Sequence, residues 1–187
     1  MKFYSVTTAL SPYSGYSDLE RYPNLKARFK EKAYHGTNIH RICSTIGRGL
    51  FPIINPIYGG YISSFRYFLD NNVKEVIDTE ISLKDEKLGF SGHPDLIVEM
   101  NDDGPGELSM LDLKTPIPTA KLKRIWAAQL AAYMHLANVN GYTITHIGSL
   151  ALDRDGKLPR VHWYKESASD LKHFLDALNA YRWFNAA

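Results

Sequence analysis

Apolar positions recur at two spacings along this chain, one suited to helices and one to strands, and the chain changes between them several times. The segment Ser5 to Pro23, rich in Ser, Tyr, Thr and Pro, reads as an irregular lead-in to a charged helix from about Asn24 to Tyr34. A second helix is expected next. Thr37 can cap its first turn, Ile39, Ile42 and Ile46 form its apolar stripe, and Gly47 and Gly49 end it, with His40 inside. After a Pro- and Gly-rich loop from Pro52 to Gly60, Ile62, Phe65, Tyr67, Phe68 and Leu69 predict a short amphipathic helix over Tyr61 to Asn71.

Period-two patterning then takes over. Val73 to Leu83 reads as one strand, Asp85 and Glu86 mark a turn, Gly89 to Met100 forms a second extended run, and Glu107 to Lys114 forms a third. Two prolines interrupt Thr115 to Pro118. The Ala-rich stretch from Thr119 to Ala137, with a Thr cap and Gly141 beyond its end, is the clearest helix in the chain. Tyr142 to Leu152 and Arg160 to Tyr164 predict two more strands around Asp153-Arg154-Asp155-Gly156. A final helix, capped near Ser167 or Ser169, should bury Leu171, Phe174, Leu175, Leu178 and Tyr181. This order implies an α/β protein with a central mixed β-sheet and helices on both faces.

A chain of 187 residues can bury a substantial core, roughly 70% of its unfolded surface, as a single domain over residues 1–187. Its 44% hydrophobic and 22% charged residues exclude disordered and fibrous classes. A net charge of +2 means that any nucleic-acid-binding surface is local. Cys43 is the single cysteine, which excludes an internal disulfide and a four-cysteine iron–sulfur cluster. No stretch reaches the roughly 18 apolar residues of a membrane span, so a cytoplasmic protein is expected. The chain has no zinc-type His and Cys spacing and no phosphate-binding loop of an ATP motor.

The candidate chemistry sits on a hairpin. The turn Asn101-Asp102-Asp103-Gly104-Pro105-Gly106 is symmetric about a point between Asp103 and Gly104, and pairing outward from it sets Asp95 opposite Asp112. Directly paired residues share a face with Cβ atoms about 5 Å apart, close enough for two carboxylates to hold one cation. Lys114, two residues on, points the same way. Unpaired, the carboxylates repel, and a divalent cation relieves this. Hard oxygen ligands suit Mg²⁺ or Mn²⁺, which stabilise the charge that builds on phosphate oxygens during hydrolysis. Lys114 can orient or deprotonate an attacking water, or neutralise that charge. The plainer alternative is a structural ion pair between Asp95 and Lys114.

Gly92-His93-Pro94-Asp95 followed by Asp112-Leu113-Lys114 resembles the PD-(D/E)XK nuclease superfamily. Gly36-Thr37-Asn38-Ile39-His40 and Gln129-Leu130-Ala131-Ala132-Tyr133 are similar to the G-T-x-x-H and Q-x-x-x-Y helices of its RecB-type branch, in the same order. The lead-in Ser-Val-Thr-Thr-Ala-Leu-Ser from Ser5 resembles that of phage-encoded exonucleases, and the layout is similar to mitochondrial genome maintenance exonuclease.

The resemblance implies a restriction-endonuclease-like core and a metal held by His40, Asp95, Asp112 and the Leu113 carbonyl. It casts Lys114 as the catalytic lysine and places Glu80 near a further acidic position. On spacing alone Gln129 and Tyr133 share a helical face, where they can hold a phosphate or the lysine. Lys121, Lys123 and Arg124 precede that face as candidate contacts to DNA backbone. The function expected is a Mg²⁺- or Mn²⁺-dependent DNA exonuclease of phage or prophage recombination, replication or repair, with DNA ends as substrate and recombination or replication proteins as partners. A non-catalytic nucleic-acid-binding subunit and an endonuclease of the same superfamily are the alternatives. Oligomeric state is open.

Overall fold

The computed structural model describes residues 3–14, 23–102, 104, 106–115, 120–165 and 167–186. Within the segment expected to be irregular, Tyr4–Ser5 forms strand β1 and Val6–Leu10 forms helix α1. Ser5 caps α1 by accepting from the Thr8 amide at 3.0 Å, and Val6 and Ala9 are fully buried. An apolar pair next to a capping serine is thus ordered by burial, despite the surrounding turn-forming composition.

Helix α2 runs unbroken over Pro23–Gly47, where two helices were expected. Gly36 is helical, and Thr37 lies in mid-helix, exposed, instead of capping a first turn. One interior glycine costs about 1 kcal/mol relative to alanine, too little to break a helix whose C-terminal half is anchored by buried Ile39, Ile42 and Cys43. The glycine stop is as expected. Gly49 adopts φ +75°, its amide reaches the Ile46 carbonyl, and the Leu50 amide reaches Thr45, a Schellman closure.

Helix α3 covers Gly59–Asn72 and buries Ile62, Phe65 and Phe68, whereas Tyr67, placed on the apolar stripe from sequence, is 49% exposed. The first two extended runs each divide in two. Val73–Thr79 forms β2 and Leu83–Asp85 forms β3; Phe90–Gly92 forms β4 and Leu96–Met100 forms β5. Leu108–Lys114 forms β6. Both breaks are sheet changes: β1, β4 and β3 make a small three-stranded sheet, while β2 and β5 belong to a five-stranded one. Pro94 has no amide to continue a ladder, and Glu80 takes φ +51°, the one positive value at a non-glycine among the described residues.

Helix α4 spans Ala120–Val139, Ile144–Ala151 forms β7, Arg160–Tyr164 forms β8, and α5 spans Ser167–Phe184. Thr119, expected to cap α4, lies outside the described residues, as does the side chain of Lys121. The main sheet has the order β2-β5-β6-β7-β8, with β6 and β7 parallel and the remaining pairs antiparallel. It separates two cores. Ile97, Met110 and Ile147 pack with α1, α4 and α5, while Leu96, Val98, Leu111, Leu113 and Leu150 pack with α2 and α3. The alternation of period two along buried strands feeds both layers, and the result is the mixed α/β architecture with helices on both sheet faces. Among the described residues no helix is long and apolar enough to cross a membrane.

Candidate active site

The pairing Leu96 with Leu111 and Ile97 with Met110 is the register that the turn's symmetry predicts, and its next step sets Asp95 against Asp112. On the neighbouring side Thr79 pairs with Leu96, so the next step sets Glu80 against Asp95, and the Glu80 amide donates to the Asp95 carbonyl at 3.2 Å. The site therefore forms where two strand runs leave the main sheet together. The left-handed backbone at Glu80 belongs to that departure. Such a conformation in a side-chain-bearing residue is costly and tends to persist where function requires it.

Residues of both helix layers reach this end of the sheet. From α2, His40 Nδ1 lies 3.1 Å from Asp95 Oδ1, while Asp95 Oδ2 accepts from the Leu113 amide at 2.7 Å. From α4, Gln129 Nε2 donates to Asp112 Oδ1 and to the Tyr133 hydroxyl, each at 3.3 Å. Lys114 forms an ion pair with Asp112 and stands 4.9 Å from the centre of the Trp126 ring. The lysine's ion pair is thus with Asp112, and its charge also acts on Asp95.

Gly92 lets the α4 layer close. A Cβ there would lie 2.4 Å from Tyr133 Cε1, so no side chain can stand between β4 and the tyrosine. Neither Gly92 nor Trp126 stood out from sequence as a site residue. The signal for Trp126 was its i, i+3, i+7 spacing with Gln129 and Tyr133 on one helix face. That for Gly92 was its place within the Gly-His-Pro-Asp run.

Electrostatics in the cluster are set by burial and by the mutual charges of its acids and bases. Asp95 and Asp112 are 8% and 3% exposed. Burial opposes ionisation of Asp95, yet the His40 and Lys114 charges and the Leu113 amide hold its carboxyl below the usual range. Burial pushes Asp112 up to about 6, with Asp95 adding to the rise and Lys114 opposing it. Burial and the Asp95 charge push Glu80 up to about 7, against the opposing charge of His40. For His40, burial disfavours the imidazolium, but Asp95 and Asp112 outweigh it and raise the group to about 9.

The donor set fits a divalent cation. Ligand atoms of His40, Glu80 and Asp95 lie within 4.8 Å of one another. Asp112 Oδ2 is buried without a hydrogen-bond partner and has only the Lys114 ion pair. Carboxylates and one imidazole form a hard, oxygen-rich set suited to Mg²⁺ or Mn²⁺. The geometry brings Glu80 into the group beside His40 and Asp95. For Leu113 the contact found is the amide donation to Asp95. Of the basic residues ahead of the Gln129 face, Lys123 lies near enough to His162 for its charge to be felt there, whereas Arg124 lines a hollow with Leu10, Tyr13, His173 and Asp176 on the α1 and α5 side.

Neither a protein-family model nor a curated protein matches the chain. Among solved structures, an alkaline exonuclease from Laribacter hongkongensis aligns over 97% of this chain and 91% of its own, at 12% identity and a TM-score of 0.40. The reading of the site rests on the geometry above.

Proposed function

We propose that the protein is a divalent-metal-dependent nuclease that hydrolyses DNA phosphodiester bonds from strand ends. The observation that carries the reading is the convergence, at one end of the sheet, of Asp95, Asp112 and Lys114 with His40 and Glu80 on one side and Gln129 and Tyr133 on the other. His40, Glu80, Asp95 and Asp112 would hold Mg²⁺ or Mn²⁺, with the Leu113 carbonyl as a further candidate ligand. Such an ion supplies charge stabilisation for the phosphoryl oxygens and lowers the pKa of bound water.

The protein's own groups divide the remaining work. Asp112 and the Trp126 face fix the Lys114 ammonium in front of the site, where it orients the attacking water and counters the charge that grows on the phosphate. Gln129 ties Asp112 to Tyr133 by donating to both. Burial and the Asp112 charge push the Tyr133 hydroxyl upward, so it stays protonated and donates to a phosphate oxygen. Water adds across one P–O bond, and the departing sugar oxygen takes a proton. The likeness of the Ser5–Ser11 segment to phage-encoded exonucleases supports a place in phage or prophage DNA recombination, replication or repair.

The test is digestion of end-labelled single- and double-stranded DNA with Mg²⁺ or Mn²⁺ and with chelator. Metal-dependent release of labelled mononucleotides or short fragments is expected. Binding without product would instead make the chain a nucleic-acid-binding subunit, and discrete fragments from closed circular DNA would make it an endonuclease.

A further inference from the structure

The polar row that begins at the site continues across the sheet. Asp112 pairs with Ser149 on β7, and Ser149 pairs with His162 on β8, so the three share the face covered by α4. One step along, Lys114 pairs with Ala151 and Ala151 with Arg160, which puts a second cation on the same face. Residues of α4 follow the row from above. Tyr133 touches Gly92, Gln129 touches Asp112, Trp126 faces Lys114, and Lys123, one turn earlier, brings its charge to His162. The His162 ring stands edge-on to Tyr164 at 4.8 Å, and Tyr164 is anchored by a 3.0 Å hydroxyl contact with Ser149.

Arg160 and His162 thus share the sheet face that carries Lys114 and Asp112, and Lys123 lies on α4, the helix over that face. Lys123 and His162 are partly buried and Arg160 is exposed. No described acidic residue forms an ion pair with Lys123 or Arg160. Burial and the Lys123 charge hold His162 below the usual imidazole value, so it offers a neutral ring N–H, while Lys123 and Arg160 carry the charge. Neighbouring strands lie about 4.8 Å apart, so the row from Asp112 to His162 spans about 10 Å.

We propose that Lys123, Arg160 and His162 form a phosphate-binding track that holds the backbone of the DNA strand on the β8 side of the cut bond. The track rests on the nuclease reading for its ligand, and it assigns to β8, whose sequence carries no nuclease motif, the role of setting where the strand lies. Arg160 offers a planar fork to phosphate oxygens, and Lys123 and His162 offer single donors. Tyr164 and Ser149 position His162 and do not themselves reach the ligand.

The test measures fluorescence anisotropy of end-labelled oligonucleotides, single-stranded and duplex, over a range of salt concentrations in chelator, where no turnover occurs. Wild type, the double variant Lys123→Ala/Arg160→Ala, His162→Ala and the exposed control Arg66→Ala are compared, each checked by circular dichroism. The double variant should bind at least about tenfold more weakly and lose about 1.4 to 1.8 from the log–log salt slope, with a smaller loss for His162→Ala and none for Arg66→Ala. With Mn²⁺ its defect should appear chiefly in KM. Wild-type affinity and slope in the folded double variant would overturn the track while leaving metal-dependent cleavage intact. Absence of any binding by wild type would overturn it too. Track-dependent binding without cleavage in any metal would support the track and sink the nuclease reading instead.

Discussion

Loading the site with a divalent cation should expel protons in an amount set by the pKa values of its residues. Without metal at pH 7, His40 at about 9 is almost fully protonated, Glu80 at about 7 half so, and Asp112 at about 6 only about a tenth. Each must be deprotonated to act as a ligand, so binding one ion should release between about one and two protons at pH 7. Release should rise toward pH 6, where Asp112 joins, and fall toward about one proton at pH 8, where His40 contributes most. The sign follows from competition: protons and metal share sites, so apparent affinity climbs with pH, by about a thousandfold between pH 6 and pH 8. Calorimetric titration with Mn²⁺ in two buffers of different ionisation enthalpy reads the proton count directly. Glu80→Gln should remove about half a proton at pH 7, and His40→Ala about one. A release near zero at pH 7, or an affinity flat across this range, would refute the assignment of these groups as ligands.

Asp112→Asn and Lys114→Ala should each lower cleavage by at least about a hundredfold while thermal unfolding stays cooperative; near-normal activity in either would remove it from the chemistry. Gly92→Ala should destabilise by about 1 to 3 kcal/mol and displace Tyr133, visible as a lower Tm together with reduced turnover, because the added methyl would sit 2.4 Å from the ring. Asp85 is buried, and although burial opposes its charge, the Leu88 and Lys87 amides and His135 at 2.7 Å hold its carboxyl below the ordinary value. Its contribution is therefore complete above the ordinary value of about 3.9 and lost as pH falls through the depressed folded value. Denaturant midpoints should fall from pH 6 to pH 3, and Asp85→Asn should be less stable at pH 6 and show a shallower fall.

The sequence alone determined most elements, the hairpin register and the facing of Asp95 and Asp112. Register was legible because a turn centred between Asp103 and Gly104 permits one pairing outward, and the observed Leu96 to Leu111 pairing follows it. Helix α4 and strand β8 were legible because strong local propensity and burial pattern agree there. The helix that carries His40 was recognised, but its continuity through Gly36 was not, since a glycine signals a break whose modest cost only tertiary anchoring can outweigh.

What tertiary structure decided is which residues meet. The breaks at Glu80 and at Pro94–Asp95 look unrelated along the chain, yet they are adjacent because β2 and β5 pair and leave the sheet at the same level. Lys114 turned to Asp112 rather than Asp95, and Trp126 and Gly92 became parts of the site, because α4 packs over that end of the sheet. Such contacts arise from long-range packing of elements on both sheet faces, and no local spacing encodes them. Asp95 and Asp112 were visible as a pair from the hairpin. Their partners come from elsewhere, His40 from α2, Glu80 from the end of β2, and Gln129 and Tyr133 from α4, and only the packed sheet and its two helix layers bring them to one place.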